Sequence, residues 1–369
     1  MRSFGISERD FKVEQSNGHR EKLYRVYHPI KTPKHLVGFI RFTYDVKNLG
    51  TLEFVNFKAS LQQRHLGIGG TSKANDCSQM GQHGEGLKLS ALVNRRHPYN
   101  YSFIITSNSF RWTFGWNVDK KLNCRLQRLP KTDLREQKEL AAQNDERNLP
   151  RECKARAWED VSIVIGEPRH GRTLTGDKQT SNKIPLKVFL TRTIMTIDID
   201  PPSNVVRTVH GDLILHPNHR NKIYLHSLLL PSGSKSGKPF VYGYNLLNGE
   251  TGRDRDTVAT ARTEAEHIAK IWAAALTEEK RLGKEDLISK YAALILGNFH
   301  RVADVDCIGG LLSKEIAELA WDFLKKSKTW SNQPPFYYCG SKDSQARRLH
   351  HDWICSRHIL TDPIGCRNH

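Results

Sequence analysis

Acidic residues are scarce in this chain: 39 Asp and Glu stand against 57 Lys and Arg over 369 residues, giving a formal charge of +18 and a pI near 9.6. That imbalance suits polyanionic partners, whether nucleic acid, nucleotides or an acidic membrane face. The Lys and Arg are spread through the whole length rather than blocked, so a plain solvated basic surface accounts for them equally well. Long apolar runs are missing too. None approaches the ~18 residues of a membrane span, and the first residues lack a signal peptide's apolar stretch, which excludes a membrane partner of the spanning kind. Seven cysteines at 77, 124, 153, 307, 339, 355 and 366, odd in number and irregular in spacing, exclude a disulfide framework. The expectation is an intracellular protein of cytoplasm or nucleus. Cys339, His350, His351, Cys355, His358 and Cys366 gather near the C-terminus but fit none of the paired-ligand spacings, so no metal site is expected.

What remains is ordinary globular composition, 38% hydrophobic and 26% charged, in a chain long enough for two domains or one large one. Residues 22 to 57 read as a strand meander: Lys22 to His28, Leu36 to Tyr44 and Thr51 to Phe57, the last two joined around Asn48 to Gly50. Tyr99 to Thr106 and Phe110 to Asn117 alternate again about a Ser107 to Ser109 turn. Trp112, Phe114 and Trp116 fall at period two, a stripe that reads as core rather than as a base-stacking platform. Residues 118 to 156 are charge-rich, with a surface helix over Asp133 to Asn144, and read as a covering element. Trp158 to Glu167 returns as a strand, residues 170 to 182 read as a loop, and Ile184 to Ile199 suits a helix, a strand or one of each. Val205 to Leu215 and Ile223 to Leu230 look like strands. Apolar residues at helical spacing over Thr257 to Leu282, Leu287 to Leu296 and Ser313 to Lys325 predict packed helices.

The chemistry is concentrated between residues 65 and 96. Two glycine clusters flank a polar stretch, and the second, Gly81, Gly84 and Gly86, runs directly into a segment with Leu87, Ala91 and Leu92 on one helical face. A side-chain-poor loop lets the backbone approach a ligand, and the unpaired amides at a helix start favour an anion such as phosphate. Arg95 and Arg96 suit the negative end of that helix, and Pro98 stops it.

A strand over Leu52 to Asn56, then a polar stretch, then a Gly-x-x-Gly-x-Gly helix start: this order resembles the GHKL ATPase superfamily (gyrase, heat-shock chaperone, histidine kinase, MutL), with spacing near its chaperone and microrchidia branches. The resemblance implies an α+β fold, a GHKL-type sandwich of mostly antiparallel sheet with helices on one face, over residues 1–175. A smaller transducer-like α/β region (176–256), a helical part (257–330) and an irregular tail (331–369) follow. ATP is the implied cofactor. Asn56 takes the adenine contact, Gly70, Thr71, Ser72 and Lys73 belong to the lid, and the amides of Gly81, Gln82, His83, Gly84, Glu85, Gly86 and Leu87 hold phosphate, with Lys88 adding charge. Arg253 or Arg255 is the implied phosphate sensor; the alternative there is a surface Arg-Asp ladder with Asp256 capping the next helix.

The chain departs from the family at three places. Asn56 stands where the family has Asp, and an amide oxygen accepts more weakly than a carboxylate. Lys58 and Ser60 stand where glycines are expected. No Glu-x-x-x-Asn precedes Asn56, so the resemblance is to an N-terminally truncated form without the motif that supplies the general base and the Mg2+ ligand. The resulting expectation is an ATP-binding conformational clamp with weak or absent hydrolysis. The alternative is a non-catalytic basic scaffold that binds nucleic acid or a protein partner.

Overall fold

Alternating apolar and polar residues over positions 21 to 56 fold as antiparallel strands β2 (Glu21–Tyr27), β3 (Leu36–Tyr44) and β4 (Leu49–Asn56), preceded by β1 (Lys12–Gly18). The sequence KVEQSNG of β1 carries almost no apolar signal, so only its pairing with β2 reveals it. This computed structural model describes residues 4, 6, 11–31, 34–66, 86–117, 119–167, 170–172, 178–180, 182–193, 196–199, 201–251, 256–298, 301–305 and 313–326. The chain divides into two compact units, Met1–Ile199 and Asp200–His369.

The first unit continues through α1 (Gly86–Arg95), β5 (Phe103–Ser107), β6 (Phe110–Trp116), β7 (Leu122–Arg128), α2 (Lys131–Glu146) and β8 (Val161–Ile165). Asn108 and Ser109 both have positive φ (51° and 64°), the two-residue hairpin turn that joins β5 to β6. β8 enters between β4 and β5 and pairs antiparallel with both, giving the strand order β1-β2-β3-β4-β8-β5-β6-β7. One face of this sheet carries the larger core, with Phe42, Ile105 and Trp112 beneath Ala91 of α1. Phe114 joins it, while Trp116 is half-buried and donates Nε1 to the Arg95 carbonyl at 3.0 Å. The opposite face holds a smaller cluster in which Phe39 meets Phe57 edge-on, ring centroids 6.0 Å apart.

Residues 118 to 156, expected as a covering element with one helix, also contain the edge strand β7. Its LNCRLQR turns Leu122, Cys124 and Leu126 to the core and polar residues outward. Residues 170 to 182, expected as a loop, contain the short pair β9 (His170–Arg172) and β10 (Lys178–Thr180). The unit also runs past the expected boundary near 175. β11 (Ile184–Pro185) pairs with β4, and α3 (Leu186–Thr193) stacks Phe189 flat on Phe42, centroids 4.4 Å apart and 6° between planes. Ile184 to Ile199 is thus a strand and then a helix.

In the second unit, β12 (Val205–Arg207), β13 (Gly211–Ile214), β14 (Ile223–Leu225), β15 (Leu228–Leu229) and β16 (Gly243–Leu246) form a sheet of order β12-β13-β16-β14-β15, in which β14 and β16 are parallel. The expected strand Ile223 to Leu230 is broken because His226 and Ser227 take positive φ (48° and 68°) and fold it into a hairpin. Helices α4 (Ala261–Arg281), α5 (Asp286–Asn298) and α6 (Lys314–Lys326) complete the unit. Thr260 caps α4, accepting from Thr263 N at 3.0 Å, in the place where Asp256 was the expected cap. Glu279 of α4 accepts from the first amides of α5, Leu287 N at 2.6 Å and Ile288 N at 2.9 Å. Leu213, Tyr244, Ile271, Trp272 and Tyr291 share one core, so the regions expected as 176–256 and 257–330 pack together from residue 200 onward. No helix among the described residues is long and apolar enough to cross a membrane.

Two outcomes follow from these interactions. Phe189→Ala removes the ring that closes α3 onto β3 and should cost about 3 kcal/mol, read as a lower urea midpoint for the first unit. Asp45 accepts from Lys183 Nζ (2.8 Å) and from the amides of Lys47 and Leu49, which lowers its carboxyl to about 2. A depressed carboxylate contributes stability above its unfolded value of 3.8 and loses it as pH falls through the folded one. The stability difference between the wild-type chain and Asp45→Asn should therefore be constant at neutral pH and shrink as pH falls from about 4 to about 2 in denaturation curves.

Candidate functional site

A cavity of about 680 Å³ lies on the larger-core face of the first unit's sheet. Its floor is apolar: Ile40 of β3, Leu52 and Phe54 of β4, Phe103 of β5 and Ile163 of β8. Alternation along β4 places Asn56, the strand's last residue, on the same side as Leu52 and Phe54, and it is exposed at the cavity wall. α1 supplies Leu87, Ser90 and Asn94, and α3 supplies Val188, Phe189 and Arg192. Thr196 and Asp198 stand beyond α3.

Local interactions fix each wall. Asn94 Nδ2 donates to the Ser90 carbonyl at 2.8 Å, and its own carbonyl accepts from Tyr101 N at 2.7 Å. Arg95, at the negative end of α1 as its sequence position suggests, donates Nη1 to the Tyr101 carbonyl at 3.1 Å while 4% exposed. Past β4 the backbone turns at Lys58, whose φ of +49° lies in the left-handed region that favours glycine. Lys58 N donates to Asp160 Oδ1 at 2.9 Å. Asp160, 1% exposed, also accepts from Arg156 N at 2.6 Å and forms an ion pair with Arg151, whose guanidinium lies 3.6 Å from the Phe57 ring centroid. Burial pushes the Asp160 carboxyl up and the Arg151 guanidinium down, and their mutual attraction opposes both shifts.

Of the residues expected at a nucleotide site, Asn56 and Leu87 share this cavity, and Gly86, Leu87 and Lys88 form the first turn of α1. Gly70, Thr71, Ser72, Lys73, Gly81, Gln82, His83, Gly84 and Glu85 lie outside the described residues, as do Arg253 and Arg255 and the Cys and His residues after 338. Sequence reasoning missed Arg192, Thr196 and Asp198, which sit in a stretch of unassigned type more than a hundred residues beyond β4. It also missed Asp160, whose one signal is a carboxylate placed directly before an apolar strand.

Chemically the cavity offers an apolar slot with amide, hydroxyl, guanidinium and carboxylate groups at its wall, an arrangement that binds and orients a flat, partly polar ligand. Glu53, a half-buried carboxylate raised by burial, points to the opposite face and pairs with Arg41 at 3.2 Å, so it does not serve this cavity as a base. Among the described residues no group of three or more His, Cys, Asp or Glu is gathered as a metal site, and no ligand set for Mg2+ is assigned. Comparison of the chain with family models, curated proteins and solved structures returns no match.

The left-handed turn after β4 gives a direct check on the wall's construction. Lys58→Gly should leave stability unchanged or raise it by up to about 1 kcal/mol, whereas Lys58→Val should lower it by about 1–2 kcal/mol, both read as shifts in thermal midpoint.

Proposed function

We propose that the first unit is a GHKL-type ATP-binding module acting as a nucleotide-controlled conformational clamp. One observation carries this reading: Asn56, at the end of β4, and the first turns of α1 line a single cavity of about 680 Å³. A slot of that size with apolar walls accommodates a purine. Gly81, Gly84 and Gly86 lead into α1, whose positive end favours phosphate. Asn56 accepts from the adenine amino group through its amide oxygen. Arg192 supplies a cation on the same wall. No hydrolytic step is assigned to a described residue.

Thermal unfolding with added nucleotide tests the reading. ATP at about 100 times its dissociation constant should stabilise the protein by roughly 2–3 kcal/mol. GTP should do less, because guanine presents a carbonyl where adenine presents the amino donor. Asn56→Asp should tighten ATP about tenfold, since a carboxylate is the stronger acceptor, and widen the preference over GTP. Equal shifts with ATP and GTP that Asn56→Asp leaves unaltered would remove Asn56 from the site. No shift with any nucleotide would favour a scaffold that keeps the fold without the ligand.

A further inference from the structure

The basic residues are not evenly distributed once the chain is folded. The β6–β7 hairpin and the turn after it, residues 110–131, hold Arg111, Lys120, Lys121, Arg125, Arg128 and Lys131 against the single acid Asp119, whereas the whole chain has 57 basic to 39 acidic residues. All six are exposed. None forms an ion pair with a described residue, whereas Arg41, Arg135, Arg151, Arg156, Arg262 and Arg281 elsewhere do. Acidic residues resume only at Asp133, in α2.

The register of the hairpin arranges these groups. Arg111 faces Gln127, Thr113 faces Arg125 and Gly115 faces Asn123, so two guanidinium groups and three neutral hydrogen-bonding side chains share one side of the ribbon. Trp112 and Phe114 point the other way, into the core. The outward side is open at its far end, because a Cβ added at Gly115 would meet nothing within 4 Å. β7 is also the last strand of the sheet.

From this arrangement we propose that the outer side of the β6–β7 hairpin holds the phosphate backbone of a nucleic-acid duplex without reading its sequence. Unpaired, exposed Arg and Lys interleaved with Asn, Gln and Thr are the donors that phosphate oxygens accept from. Among the described residues of 110–131 no large apolar side chain is exposed, so this surface presents no wedge of the kind that inserts into a lipid headgroup layer. With Trp112 and Phe114 turned inward, the ribbon's outer side also lacks the stacking platform from which proteins that bind single strands draw much of their affinity. What is left is attraction to a dense, regular line of phosphates, which a duplex presents best. The proposal does not depend on the nucleotide reading, since it uses none of the cavity's residues.

Fluorescence anisotropy of the full chain with a labelled duplex of about 30 base pairs, titrated at several KCl concentrations, tests it. Log affinity should fall linearly with log salt, and duplexes of different sequence should bind alike. The combined change Arg111→Ser and Arg125→Ser should weaken binding about tenfold and reduce the salt slope by about 2, near 0.9 for each phosphate no longer neutralised. Gly115→Glu, which has room for its side chain, should weaken binding on its own by adding a negative charge to the same side. Exchanging Arg262, Lys270 and Lys290 for Ser should leave affinity unchanged. Unaltered affinity and slope in both hairpin variants would overturn the proposal. So would tighter binding of a single strand than of the duplex, or phosphatidylserine vesicles being the only ligand that the hairpin variants lose.

Discussion

The first unit depends on β8 being accepted between β4 and β5. Ile165 pairs with Leu52 on one side and Phe103 on the other, so a strand of five residues joins two antiparallel sheets made from segments on either side of α1. A central strand is covered on both faces, and Val161, Ser162 and Ile165 are accordingly buried. The entry to β8 is fixed by Asp160, which collects Lys58 N, Arg156 N and the Arg151 guanidinium around one buried carboxyl. Through Lys58 the same carboxyl sets the exit of β4. The cavity wall at Asn56 and the join at the middle of the sheet are therefore held by one group of charges, and an unpaired Asp160 or Arg151 would be costly there.

The second unit solves a related problem with a different buried carboxylate. Asp304 accepts from the Tyr244 hydroxyl at 2.6 Å and from the amides of Val241 and Tyr242 at 2.7 and 3.2 Å, and Trp272 Nε1 donates to the same Tyr244 oxygen at 2.9 Å. Burial pushes the Asp304 carboxyl up, and these donors oppose the shift. The network ties the loop before β16 to α4, and Glu279 ties α4 to α5 in the same way. Each group is satisfied by backbone amides that would otherwise be buried without acceptors. Buried acids thus act as clamps in a chain that has few acids to use.

Residues of the cavity differ in how far they can be read from local pattern. Asn56 and Leu87 were accessible from the sequence because each is announced locally, by a strand ending on a polar residue and by glycines opening an apolar-periodic helix. Arg192, Thr196 and Asp198 reach the cavity wall only because β11 pairs with β4 and Phe189 stacks on Phe42, and no local pattern foretells a meeting over that separation. The basic hairpin was hidden for a related reason. Its charges look scattered along the chain, and become a single face when β6 and β7 align Arg111 with Gln127 and Arg125 with Thr113.

By itself the sequence determined the alternation that makes strands of Leu36–Tyr44 and Phe110–Trp116, the inward stripe of Trp112 and Phe114, the helical period of α4 to α6, and the absence of any spanning apolar run. These are short-range properties, written in the spacing of apolar residues. Tertiary structure alone decided the polar edge strand β1, the division at Ile199, the breaks at His226 and Ser227, and the left-handed Lys58 held by Asp160. In each of these the local preference is weak or contrary, and hydrogen bonds and packing from distant residues supply the difference.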